Sequence, residues 1–232
     1  MFLSEFFNQL TYGELAGLAI GGINDGGIQS VDYPKIINNI NSGLIDLYTR
    51  LNLKNKELTL QLYDHITTYT LHNDYALSNG LSNQAYKYII DSSSDPFKND
   101  VLLVDSVFNE AGDEYPINEI KEKYSVFTPS YNTVQVPFAE SSNALALIYR
   151  AAPDLIHNNI TSPESTWIPL PYQLINCLIA YVLHKIHSSP PRDDKAGMYY
   201  NKYLNLVETV KNSGLLIKEH NLNEKLDQGG WV

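Results

Sequence analysis

The chain has 232 residues, 44% of them hydrophobic, and a formal net charge of −10 from 26 acidic and 16 basic residues. That length suffices for one large core or two small ones, and the acidic balance argues against a protein that grips nucleic acid through its phosphates. The single cysteine, Cys177, excludes an intrachain disulfide and a cysteine-based metal site and fits a chain made in a reducing cytoplasm, while no apolar run approaches the ~18 residues of a membrane span and the opening Met-Phe-Leu-Ser-Glu-Phe-Phe lacks the basic start of a signal peptide.

In chain order, residues 2–20 read as a broken helical pair. Its second half is opened by the capping-box spacing of Thr11 and Glu14, with Leu15, Leu18 and Ala19 following at helical spacing. Residues 21–27 are glycine-rich but lack the Gly-Lys-Ser/Thr ending of a phosphate loop, so they read as a connector. Residues 33–51 predict a helix capped by Asp32, with Pro34 in its first turn. Ile36, Ile40, Leu44, Leu47 and Leu51 form one stripe, and Asn38, Asn41 and Asp46 lie off it.

From residue 57 the period changes to two. Leu58, Leu60 and Leu62 alternate with polar residues, and 66–71 reads as a second strand with Asp64-His65 near the turn, a helix being the alternative for this window. Further strands are expected over 85–90, 101–108, 133–136 and 144–149, with a turn at 109–114 and a return at 115–117. Residues 171–187 predict a helix with Pro171 in its first turn, an apolar face of Leu174, Ile175, Leu178, Ile179, Val182 and Ile186, and a polar arc of Gln173, Asn176, His184 and His187. Ser188-Ser189-Pro190-Pro191 ends it. A last helix over 193–213 opens on Asp193-Asp194, carries Tyr199, Tyr203, Leu206 and Val210 as its stripe, and closes at Gly214.

The order predicts an α+β fold: a helical bundle of an N-terminal helix plus two C-terminal helices, interrupted by a small antiparallel β-sheet or sandwich. The parts are 1–56, a β-rich 57–168, a returning helical 169–214, and an extended tail 215–232 that ends on Trp231 and Val232.

The chain offers no candidate constellation for catalysis. His184 and His187 share a helical face at a spacing that can bind a metal, but no acid or cysteine beside them completes a site, and two exposed histidines are the simpler reading. His65 and His72 are seven residues apart, too far along an extended strand to share an ion. There is no Gly-x-Ser-x-Gly elbow or His-Glu-x-x-His motif, and Cys177 lies in an apolar helix with nothing in sequence to activate it. Asp113-Glu114 and Asp193-Asp194 are explained by a turn and a helix start. Arg150, at a strand end, is read as bridging subunits or pairing with an acid such as Asp154. The expectation is a non-enzyme with no catalytic residue, cofactor or metal.

Several segments together resemble one family. They are Asp32-Tyr33-Pro34-Lys35-Ile36-Ile37, Tyr63-Asp64-His65-Ile66-Thr67-Thr68-Tyr69, Asp100-Val101-Leu102-Leu103-Val104, Tyr149-Arg150-Ala151-Ala152-Pro153, Leu170-Pro171, and Gly230-Trp231-Val232. Across nearly the whole chain they look like the head-to-tail adaptors of podophages, the tail tubular protein A-like connectors. The resemblance implies a structural virion protein of the neck. It would form a ring of about a dozen copies between portal protein and tail nozzle, with genomic DNA passing through without sequence-specific binding and no contact with a membrane. The helical part would dock on the portal and the β-part would face the nozzle. By carry-over, Leu226, Trp231 and Val232 are candidate portal anchors, while Arg150 and Tyr199 are candidate subunit contacts. The long loops 73–84, 91–100 and 155–168, together with 17 tyrosines, would supply surface that orders on assembly. The rival reading is a monomeric β-sandwich binding glycan or peptide through an aromatic cleft. A third, metal-dependent hydrolysis through the histidines, lacks a complete ligand set.

Overall fold

The computed structural model describes residues 1–13, 15, 28–141, 143–188, 193–214 and 216. The expected helix start at Thr11–Glu14, the glycine-rich loop, the Ser189–Pro191 stop and the tail anchors Leu226, Trp231 and Val232 all fall wholly or partly outside them. Within them the fold is α+β: helices α1 (Leu3–Tyr12) and α2 (Tyr33–Arg50), strands β1 (Asn55–Gln61), β2 (Thr68–Thr70), β3 (Ile89–Ile90), β4 (Val101–Phe108), β5 (Glu114–Tyr115), β6 (Phe127–Ser130), β7 (Thr133–Gln135) and β8 (Ala144–Ala151), then helices α3 (Ile175–His187) and α4 (Asp193–Asn212).

The helices share one core. Phe6, Phe7 and Leu10 of α1, Ile36, Ile40, Leu44 and Leu47 of α2, Leu178, Val182 and Ile186 of α3, and Tyr199, Tyr203 and Val207 of α4 are buried in a single cluster. α3 packs against both α2 and α4, so it is enclosed nearly all round rather than on one face: Cys177, Ala180, Tyr181, Leu183 and His187 are buried as well. Gly43 permits the α2–α3 approach, since a Cβ there would stand 2.6 Å from Leu178 Cδ1 and 2.9 Å from Tyr181 Cδ1.

Some helix ends differ from those expected, while Pro34 and Gly214 stand where expected. Asp32 does not cap α2. Its carboxylate accepts from the Gln29 amide at 3.3 Å and closes the preceding 3-10 turn Ser30–Asp32, while Pro34 supplies the preset φ of the first turn. Thr11 lies in the last turn of α1, and it is Glu5 that reaches back to the Phe2 amide at 2.9 Å. Pro171 precedes a 3-10 turn, Tyr172–Leu174, so α3 begins four residues later than its apolar pattern suggests. Gly214, at φ +71, closes α4 as a left-handed cap.

The β-part holds two antiparallel sheets, ordered β3-β1-β8-β4-β5 and β2-β7-β6. They share a second core that includes Leu58, Leu60, Tyr69, Val104, Val107, Val134, Leu145, Leu147 and Tyr149. The expected neighbours β1 and β2 do not pair. β1 pairs instead with β8, from Asn55↔Arg150 to Gln61↔Ala144, because β8 alternates buried and half-buried residues along its whole length and can sit between two strands. Residues 85–90 shrink to a two-residue strand at the sheet edge. β6, which periodicity did not suggest, contains Pro129 and is tolerated as an edge strand.

The segment that returns from β8 to α3 is fixed to the bundle. Asn41, on the polar side of α2, donates from Nδ2 to the Ile156 carbonyl at 2.8 Å and accepts from the Ile156 amide at 2.9 Å. Tyr48 Oη donates to the Pro169 carbonyl at 2.5 Å. The N-terminus clasps the same segment, Leu3 N to Thr166 O at 2.8 Å and Ile168 N to Met1 O at 3.0 Å, with Phe2 edge-on to Trp167.

Two substitutions test this packing. Gly43→Val overpacks the α2–α3 contact and lowers stability by about 2 kcal/mol, read as a lower urea midpoint with an unchanged slope. Asn41→Ala strands both backbone groups of Ile156 and costs about 2 kcal/mol by the same measurement.

Candidate assembly interface

The β-part leaves and rejoins the bundle at one place. At the base of β1 and β8, the Ala151 amide donates to the Lys54 carbonyl at 2.8 Å and the Ala152 amide to the Asp100 carbonyl at 2.7 Å. Side chains repeat the tie. Lys56 Nζ reaches Asp100 Oδ2 at 2.7 Å, Tyr149 Oη donates to Asp100 Oδ1 at 3.0 Å, and Lys54 Nζ reaches Asp154 Oδ2 at 2.7 Å. The Lys54 hydrogen bond outweighs the effect of burial and holds the Asp154 carboxyl below its ordinary range. That carboxylate is largely exposed, so the pair contributes little to stability.

Arg150 sits at this base and pairs with Asp105, not Asp154, Nε to Oδ2 at 2.9 Å. The reason is geometric: Leu103 lies opposite Arg150 and a register irregularity follows it on β4, which brings Asp105 within diagonal reach of the neighbouring strand. Arg50, Asn52, Asn55, Arg150 and Lys211 line a recess here of about 320 Å³, with leucines completing its wall. Tyr199, the other expected contact residue, is 4% exposed, and its ring stacks on His187 at 5.1 Å within the bundle. Seven tyrosines, at positions 48, 69, 88, 149, 181, 199 and 203, are core residues, so tyrosine content overstates the contact surface.

The loops read as segments free to order on assembly are already held within the chain. Asp91 accepts from the Ser78 amide at 2.8 Å, the Ser78 hydroxyl at 2.5 Å and the Phe97 amide at 2.9 Å, joining 78–97 into one unit. Burial alone would favour the neutral acid, but these hydrogen bonds prevail and its pKa lies below the ordinary carboxylate value. The 109–114 turn is built by Asn109, whose Oδ1 accepts from the amides of Ala111 and Asp113 at 2.9 and 2.8 Å. Gly112 supplies the φ of +88 that the turn needs.

A second recess of about 420 Å³ at the other end of β8 is lined by Tyr115, Tyr124 and Phe138 with Glu110 and Glu140, and Lys123 Nζ lies 5.1 Å from the Tyr124 ring centre. Leu81 and Ile120, on loops, are 94% and 90% exposed. Periodicity misses both because each is a lone apolar residue in a polar loop.

His65, His72, His184, His187 and Cys177 are each held within the fold. His187 is buried rather than exposed, and His184 Nδ1 meets the Ala196 carbonyl at 3.0 Å. His72 Nδ1 is turned to Asp74 at 3.2 Å, and His65 packs against Tyr86. Burial pushes the Cys177 thiol up to about 11, which keeps it protonated at neutral pH. Among the described residues no group of three histidines, cysteines or acids is placed to hold a metal, and no helix is long and apolar enough to cross a membrane.

No family model matches the chain, and no curated protein matches it. Among solved structures, it is similar to a chain of one described as "Neck of empty GTA particle computed with C6 symmetry", with 13% identity and a TM-score of 0.28 over 89% of this chain and 86% of that chain. A TM-score of that size does not establish a shared fold.

Asp91→Ala costs about 2–3 kcal/mol at pH 7. Because the folded pKa is depressed, that stabilisation is present above the unfolded value of about 4 and is lost as pH falls through the folded value. The urea-midpoint difference from wild type therefore shrinks below about pH 4.

Proposed function

We propose that this chain is a head-to-tail adaptor subunit of a tailed phage, forming a ring between portal and tail nozzle through which DNA passes. The observation that carries the reading is the layout. A helical bundle with its own core bears a β-part with a second core, and the two strands joining them are laddered at their base. A subunit that bridges two unlike rings needs two separate contact bodies held in fixed relation, and this arrangement supplies them.

The sequence resemblance spans both bodies. The excess of acid over base suits a lumen wall that does not retain DNA. On this reading the chain turns over no substrate and holds no cofactor, and it is located in the neck of the virion. The portal anchors would be Leu226, Trp231 and Val232.

A second reading, a glycan- or peptide-binding module, draws on the aromatic recess of Tyr115, Tyr124 and Phe138. It requires a stable monomer whose ligand binding is abolished by Tyr124→Ala.

Electron microscopy of the full chain mixed with the portal protein of the same genome separates the two. A rotationally symmetric collar added to the portal is the expected result. Folded chain at high concentration that adds no density overturns the adaptor reading.

A further inference from the structure

The recess at the base of β1 and β8 collects cations that the rest of the chain does not explain. Arg50, Arg150 and Lys211 come from three distant parts of the sequence, and among the described residues no acidic residue lines the recess with them. The chain as a whole carries a charge of −10. Arg50 ends α2 and Lys211 lies in the last turn of α4, where a cation offsets the helix dipole. That accounts for each alone, but not for their convergence with Arg150 of a strand.

Each arginine is partly neutralised through Nε, by Asp46 and by Asp105. For both guanidiniums these are the side-chain bonds among the described residues, so the forked Nη donors have no partner there. The Lys211 side chain has neither ion pair nor hydrogen bond among them. Three cations against two carboxylates leave one positive charge, which suits a single carboxylate better than the doubly charged or repeating anion of a phosphate group or a nucleic acid backbone. Asn52 and Asn55 add amide groups, and the leucines match an aliphatic stem.

We propose that this recess receives a glutamate side chain from a second copy of the chain, and is thereby the charged half of the contact between subunits. The inference rests on the adaptor reading, in which copies associate. The complementary half is present on the same surface. The ion pairs among the described residues are all made by aspartates, and the exposed glutamates Glu57, Glu119, Glu122 and Glu164 have no side-chain partner among those residues. A cationic recess and an acidic counterpart at different places on one molecule form a heterologous contact, the kind that closes into rings. Copies of like net charge repel at long range, so a local complementary pair sets where they meet.

The test is sedimentation velocity of the full chain up to millimolar concentration, for wild type, Lys211→Glu and Lys211→Gln. Circular dichroism establishes that the variants are folded. Carbodiimide coupling followed by mass spectrometry maps amine–carboxylate contacts between copies. The expected result is self-association that weakens at least about tenfold in Lys211→Glu and less in Lys211→Gln, that falls with added salt, and that yields a Lys211–glutamate link between copies.

Association unchanged by Lys211→Glu overturns the proposal. So does a chain that stays monomeric throughout, an outcome that leaves the adaptor reading to the portal experiment. Fluorescence anisotropy with a short DNA duplex supplies the remaining arm. Binding that Lys211→Glu removes would assign the recess to phosphate instead and overturn the carboxylate occupant.

Discussion

The pairing of β1 with β8 is the constraint on which the rest of the molecule depends. It joins residues 55–61 to 144–150 and so closes a long insertion at a single point on the helical bundle. Closing so long a loop costs conformational entropy, although the cost rises only slowly with length. The buried face of β8 offsets it: Leu145, Leu147 and Tyr149 lose nearly all contact with water, and full burial of such side chains contributes roughly 1.5–3 kcal/mol each. Since β8 also pairs with β4, closing the insertion and building its sheet are one event.

Around that pairing, a few polar side chains serve long stretches of irregular backbone. Asn41 satisfies both groups of Ile156, Asp91 gathers the 78–97 loops, and Asp100 ties β1 to β8 through Lys56 and Tyr149. Backbone groups away from helices and sheets must find partners somewhere, and each of these residues satisfies several at once. The loops are thereby fixed within the single chain.

Charge is distributed with the same economy. The cations of the junction, Lys54, Lys56, Lys98, Arg50 and Arg150, are each set against an aspartate, while exposed glutamates elsewhere on the described surface are not in ion pairs. The chain thus concentrates its ion pairs where the two cores meet and leaves an acidic exterior. Such an exterior is soluble and repels polyanions, and it confines attractive contact to the few places where cations are gathered.

By itself the sequence determined the fold class, the helices expected over 33–51, 171–187 and 193–213, and the strands expected over 101–108 and 144–149, because each carries a strong period of 3.6 or 2 over many residues. Short elements were less legible: β6 holds a proline and escaped it, β3 was expected over 85–90 but is two residues long, and Asp32 and Pro171 serve 3-10 turns that share the composition of helix starts. What only the tertiary structure decided was partnership. No local signal says that β1 pairs across the insertion rather than with β2, that Arg150 takes Asp105, that Asn41 reaches Ile156, that His187 and Tyr199 face inward, or that Arg50, Arg150 and Lys211 share one recess. Period and propensity act along the chain over a few residues, whereas these contacts join distant residues, 115 apart for Asn41 and Ile156, and exist only once both cores have formed.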